Sequence, residues 1–79
     1  MKEIAPGITV DRGVRFGKPI IRGTRVPADL IIKKLAGGMT IEKVMEEYSL
    51  RREDVMNALS YAAKLISEEE VRAAERFIF

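Results

Sequence analysis

Apolar and polar positions change period partway along the chain. Over Ile8-Thr9-Val10 they alternate, with β-branched residues throughout, which is the spacing of a short strand. Asp11-Arg12-Gly13 is a turn signal, and a return strand is expected over Val14 to Ile21, giving a β-hairpin over about 8–25. From Pro27 onward apolar residues recur every third or fourth position, the period of amphipathic helix. Helix one is predicted from about Pro27 to Ala36, with Thr24 as candidate cap, Ala28, Ile31, Ile32 and Leu35 inward, and Gly37-Gly38 as its stop.

Helix two follows Thr40 as cap and buries Ile41, Val44, Met45 and Tyr48. After a brief turn at Ser49-Leu50, helix three is predicted to start near Arg51 or Arg52 and to bury Val55, Ala58, Leu59, Ala62 and Ile66. Ser67-Glu68-Glu69-Glu70 has the form of a capping box, which predicts a separate tail helix over 67–79 with Val71, Ala74, Phe77 and Ile78 on its apolar side. The expected fold class is therefore mainly α: an N-terminal β-hairpin, a tri-helical core over 27–63 and a C-terminal tail helix.

The joint between the two periods is Gly17-Lys18-Pro19-Ile20-Ile21-Arg22-Gly23-Thr24-Arg25-Val26-Pro27. It converts an extended ribbon into a helix and projects Lys18, Arg22 and Arg25. Two readings stay open for these cations. They grip phosphate, or they pair with acids of the helices and clamp ribbon to bundle. The density of glycine and proline favours the clamp.

Composition narrows the chemistry. The 79 residues form one small domain whose core supplies only a few kcal/mol, about 3–5, of net stability. A dimer or a partner protein is the expected support. There is no cysteine and no histidine, which removes the usual nucleophiles, neutral-pH bases, disulfides and zinc ligands. No enzyme activity, metal or other cofactor is expected. Glu42, Glu46, Glu47 and Glu68 to Glu70 lie at polar helical positions and read as a wet face. Gly13 to Pro19 superficially resembles a phosphate-binding loop, but its glycine spacing is short and proline stands where the magnesium-binding hydroxyl belongs. No apolar run approaches a membrane span and the first residues lack a signal-peptide core, so the expectation is a cytoplasmic protein without a membrane partner.

The net charge of +2 hides a polarity. Residues 1–36 carry eight Lys/Arg and three Asp/Glu, whereas residues 37–79 carry six and nine. Such a chain can show one face to a polyanion and another to a basic partner, or its halves can attract each other within or between copies.

Helices two and three form a candidate helix-turn-helix, the second of them in the recognition position. Arg51, Arg52, Asn57, Tyr61 and Lys64 are its candidate DNA contacts. Asn57 is able to read adenine, and Arg52 guanine or phosphate. Glu53 and Asp54 on the same helix would face phosphates badly. The alternative is a tri-helical oligomerisation or protein-interaction module without nucleic acid.

The run from Gly17 to Val26 resembles the signature of a prokaryotic domain-of-unknown-function family, number four-three-three. The likeness continues through Leu35 to Thr40, Val44, Tyr48, Leu50, Asp54-Val55 and Ala58 to Ala63. These are short antitoxins related to the antitoxin side of VapBC-type modules. The resemblance implies a homeodomain-like helix-turn-helix protein that binds DNA, represses its own operon and neutralises a toxin of the PIN-like nuclease type; a homodimer is expected beside it, since two-fold symmetry doubles the phosphate contacts. It brings no catalytic residues. The tail, with Val71, Ala74, Phe77 and Ile78, would make the toxin or dimer contact.

Overall fold

The computed structural model describes residues 1–78, with side chains as far as Arg76. Three strands come first: β1 (Lys2–Ala5), β2 (Ile8–Val10) and β3 (Ile20–Ile21). Three helices follow: α1 (Ala28–Ala36), α2 (Ile41–Tyr48) and α3 (Arg52–Ile78). The sheet is antiparallel with order β1-β2-β3.

The expected two-stranded hairpin is thus corrected to three strands. The missed strand, β1, is joined to β2 by Pro6-Gly7. Proline presets the first corner of such a turn, and Gly7 takes the positive φ of +72° that the second corner needs. The pairing places Ala5 opposite Ile8 and Lys2 opposite Val10, with an irregularity between Glu3 and Ala5. The return strand is far shorter than Val14 to Ile21. Arg15–Gly17 form a 3-10 turn, and pairing resumes only after Pro19, which has no N–H to give to a ladder.

The corner into α1 also differs. Thr24 does not cap the helix. Its hydroxyl donates to the Ile21 carbonyl at 2.7 Å and accepts from the Val26 N–H at 3.0 Å, closing a tight turn. Pro27 takes the cap position without a side-chain bond. At the other end, the Gly38 N–H donates to the Leu35 carbonyl and the Met39 N–H to that of Lys34, so the paired glycines satisfy the last turn.

Helix α2 is capped as expected, the Thr40 hydroxyl accepting from the Lys43 N–H at 3.1 Å. It ends at Ser49, whose φ of 55° is left-handed. One core unites sheet and helices: Ile8 and Ile21 from the strands with Ala28, Ile31, Val44, Leu50, Val55 and Ala58. Burying a side chain of valine or isoleucine size contributes about 1.5–3 kcal/mol before entropy is counted.

The separate tail helix is the second correction. Helix α3 passes through Ser67 without interruption. A capping box works only when its serine leaves helical geometry. Here strong helix formers flank it on both sides, with neither glycine nor proline to force a break. Ile66, expected inside, is 60% exposed and lies at an apolar groove beside α1.

Candidate nucleic-acid interface and partner-binding face

The turn between α2 and α3 is built by reciprocal bonds at the α3 N-terminus. The Arg51 N–H donates to Asp54 Oδ2 at 2.9 Å, and the Arg51 guanidinium donates to Oδ1 at 3.0 Å. Burial alone would raise the Asp54 pKa. Hydrogen bonds from the Arg51 side chain and backbone, with the charges of Arg51 and Arg22, overcome it and hold the carboxyl below its ordinary value. The same hydrogen bond to Asp54 pushes Arg51 further up. Arg52 donates to Glu42 Oε1 at 2.6 Å, tying α3 to the start of α2, and this bond lowers the Glu42 pKa.

The sheet packs on the same region. Glu3 accepts from the Gly7 N–H at 3.0 Å and pairs with Arg22 at 3.4 Å. Asn57 lies against Gly7 at the wall of a polar cleft of about 510 Å³, lined also by Glu3, Arg22, Arg51 and Asp54. Tyr61 borders a different, apolar groove of about 460 Å³ between α1 and α3, with Pro19, Ile32 and Leu65. The five candidate DNA contacts therefore do not share one surface. Arg51 is held by Asp54 and Glu53, Asn57 packs against Gly7, and Tyr61 borders the groove towards α1. Arg52 and Lys64 remain on the exposed stripe Arg52, Met56, Ser60, Lys64, whose members recur every fourth residue and so share one side of α3.

The three hub cations separate too. Lys18 bonds Asp29 at 2.8 Å, and Lys33 shares that carboxylate at 3.4 Å. The Lys18 bond is the main reason the Asp29 pKa falls. Lys18 thus joins the hub to an acid of α1, whereas Arg22 pairs within the sheet, on Glu3 of β1, rather than with an acid of the helices. Arg25 forms no ion pair among the described residues, and its carbonyl accepts from Arg15 Nε at 3.1 Å. Asp29, Glu3 and Gly7 were not singled out in the sequence. Only the Pro6-Gly7 pair carried a signal, that of a turn.

Beyond Ala62 the described side chains of α3 are exposed except for Ala73. Leu65, Ile66 and Val71 are 44, 60 and 59% exposed, and Ala74 is exposed as well. The expected contacts at Phe77 and Ile78 lie outside the residues whose side chains are described. No helix among the described residues is long and apolar enough to cross a membrane.

A three-stranded sheet packed on three helices, with the last helix overhanging, defines the class of small domain. Residues 8–62 match the family DUF433, described as protein of unknown function, and the chain belongs to that family. It is similar to the crystal structure of a DUF433 member protein from Anabaena variabilis ATCC 29413. The identity is 25% and the TM-score 0.71, over 86% of this chain and 68% of that one. It also resembles Rv2018 from Mycobacterium tuberculosis at 23% identity and a TM-score of 0.61. That match covers 66% of this chain but only 24% of Rv2018, so it speaks for the fold alone. No match is found among curated proteins.

Proposed function

We propose that this protein is a two-ended regulator, an antitoxin in the VapB sense, built on one helix. The first half of α3 belongs to a homeodomain-like helix-turn-helix and meets operator DNA. The second half takes the groove of a protein partner, a PIN-like nuclease toxin or a second copy of the chain. The observation that carries this reading is the length of α3. At about 1.5 Å per residue, its 27 residues extend roughly 40 Å, and only the first part is needed by the core.

An isolated helical half is marginal in water, because helix formation leans on tertiary burial of an apolar face. Leu65, Ile66 and Val71 are the apolar residues such burial would use, in the manner of an amphipathic helix laid in a groove. The DNA half is supported by the capped α2, the tight turn through Ser49 and the stripe Arg52, Met56, Ser60, Lys64. Arg51 and Asn57 serve this half indirectly, by fixing the turn and the sheet beneath it.

The test is co-expression with the protein encoded beside it, for the full chain and for a chain ending at Lys64. The full chain should co-purify with that protein and the shortened one should not. Equal retention by both would remove the role given to the overhang.

A further inference from the structure

The loop from Asp11 to Lys18 contributes little to the core, yet the chain holds it in a demanding shape. Arg15, Phe16 and Gly17 all take left-handed backbone angles, with φ of 50°, 57° and 79°. For residues other than glycine this conformation costs roughly 1–2 kcal/mol each. The shape is over-determined by its bonds. The Gly17 N–H donates to the Val14 carbonyl, the Lys18 N–H to that of Arg15, and Arg15 Nε to that of Arg25. What the loop presents is Phe16, 103% exposed. The fold gains no packing from that ring, and glycine would satisfy the turn at lower cost. Strain held in place around a side chain with no structural role marks a functional position.

The surroundings of Phe16 state its ligand chemistry. Arg12, Arg15 and Arg25 are exposed, and none forms an ion pair among the described residues, unlike Lys18, Arg22, Arg51 and Arg52. The nearest acid in sequence, Asp11, is occupied in accepting the Gly13 N–H at 2.9 Å. Met1, Lys2, Val10, Asp11, Arg12 and Gly17 line one shallow concavity beside the loop. The exposed guanidinium groups on the loop, at Arg12 and Arg15, and at Arg25, whose carbonyl Arg15 reaches, fork onto phosphates.

We propose that this loop binds single-stranded nucleic acid, with a base stacked on Phe16 and backbone phosphates held by Arg12, Arg15 and Arg25. A free ring face can take a base only when that base is out of a duplex stack. The site is separate from the stripe on α3 and does not depend on operator binding. RNA and DNA strands share the required chemistry.

The test is fluorescence anisotropy of the full chain with labelled twelve-nucleotide oligo-U, oligo-dT and a duplex of equal length, at low and moderate salt. Both strands should bind, and more weakly as salt rises. A tighter oligo-U would assign the loop to RNA, and a tighter oligo-dT to DNA. Phe16→Ala should weaken strand binding by between about fivefold and a hundredfold, while Phe16→Trp keeps it. Arg12→Gln with Arg25→Gln should flatten the salt slope by about 1.4. The thermal midpoint of Phe16→Ala should not fall, which separates lost binding from lost folding. Absent strand binding at low salt, unchanged binding by Phe16→Ala, or preference for the duplex would overturn the proposal.

Discussion

Asn57 packs so closely on Gly7 that a side chain at position 7 would force the Asn57 amide to move. A Cβ placed on Gly7 would come within 2.3 Å of Asn57 Nδ2. Through this contact the first turn of the sheet rests on α3, just beyond its corner with α2. Gly7→Ala should therefore destabilise the fold by more than the 1–2 kcal/mol or so of left-handed strain alone. Adding Asn57→Ala should recover the collision component and leave the strain, which a double-mutant cycle in urea would resolve.

Asp54 makes stability depend on acid. Its folded pKa is depressed, so its contribution is complete above the ordinary carboxylate range, about 4, and is lost as pH falls through the folded value. Asp29 and Glu42 act in the same direction. The urea midpoint should decline below about pH 4, in the carboxylate range. Asp54→Asn keeps an acceptor for the Arg51 N–H but loses the charge at the α3 N-terminus, so it should lower the unfolding free energy at pH 7 by roughly 0.3–1 kcal/mol and weaken the acid dependence.

Two positions are open to improvement. Ser49 ends α2 in left-handed geometry, where glycine is the favoured residue. Thr9 is 1% exposed, and its hydroxyl has no hydrogen-bond partner among the described residues. Ser49→Gly and Thr9→Val should each stabilise by roughly 0.5–1 kcal/mol, seen as a rise of several degrees in thermal midpoint. A fall for Thr9→Val would mean that the hydroxyl has a partner in solution.

Much of the fold was legible because its signals are local. Thr40, Gly37-Gly38 and the apolar stripe of α2 marked ends and faces that the structure keeps. What failed depended on context. The capping-box pattern at Ser67 yields to its helix-forming neighbours, and a β1 of only four residues has no alternation of its own to display. The candidate site was half legible. Charge suggested ion pairs from the hub to the helices; Lys18 makes one, to Asp29, whereas Arg22 pairs within the sheet and Arg25 forms none among the described residues. The packing of Asn57 against Gly7 could not be anticipated, since it depends on how the sheet folds back. Phe16 gave no signal at all, because only three-dimensional packing shows that nothing covers it.

Glu42 offers a further lever on the proposed DNA contact. It holds the Arg52 guanidinium and adds negative charge beside it. Glu42→Gln should strengthen duplex binding several-fold and raise the protein's on-rate at low salt. Weaker binding by this variant would place Arg52 away from DNA.

The most direct test of a DNA-facing first half of α3 is one titration series. Duplex DNA from upstream of the gene is bound across a range of salt by the wild type and by Arg52→Ala with Lys64→Ala. The account predicts wild-type binding whose log–log salt slope is shallower by about two in the double variant. Absence of binding at low salt, or identical slopes for the two proteins, would contradict it.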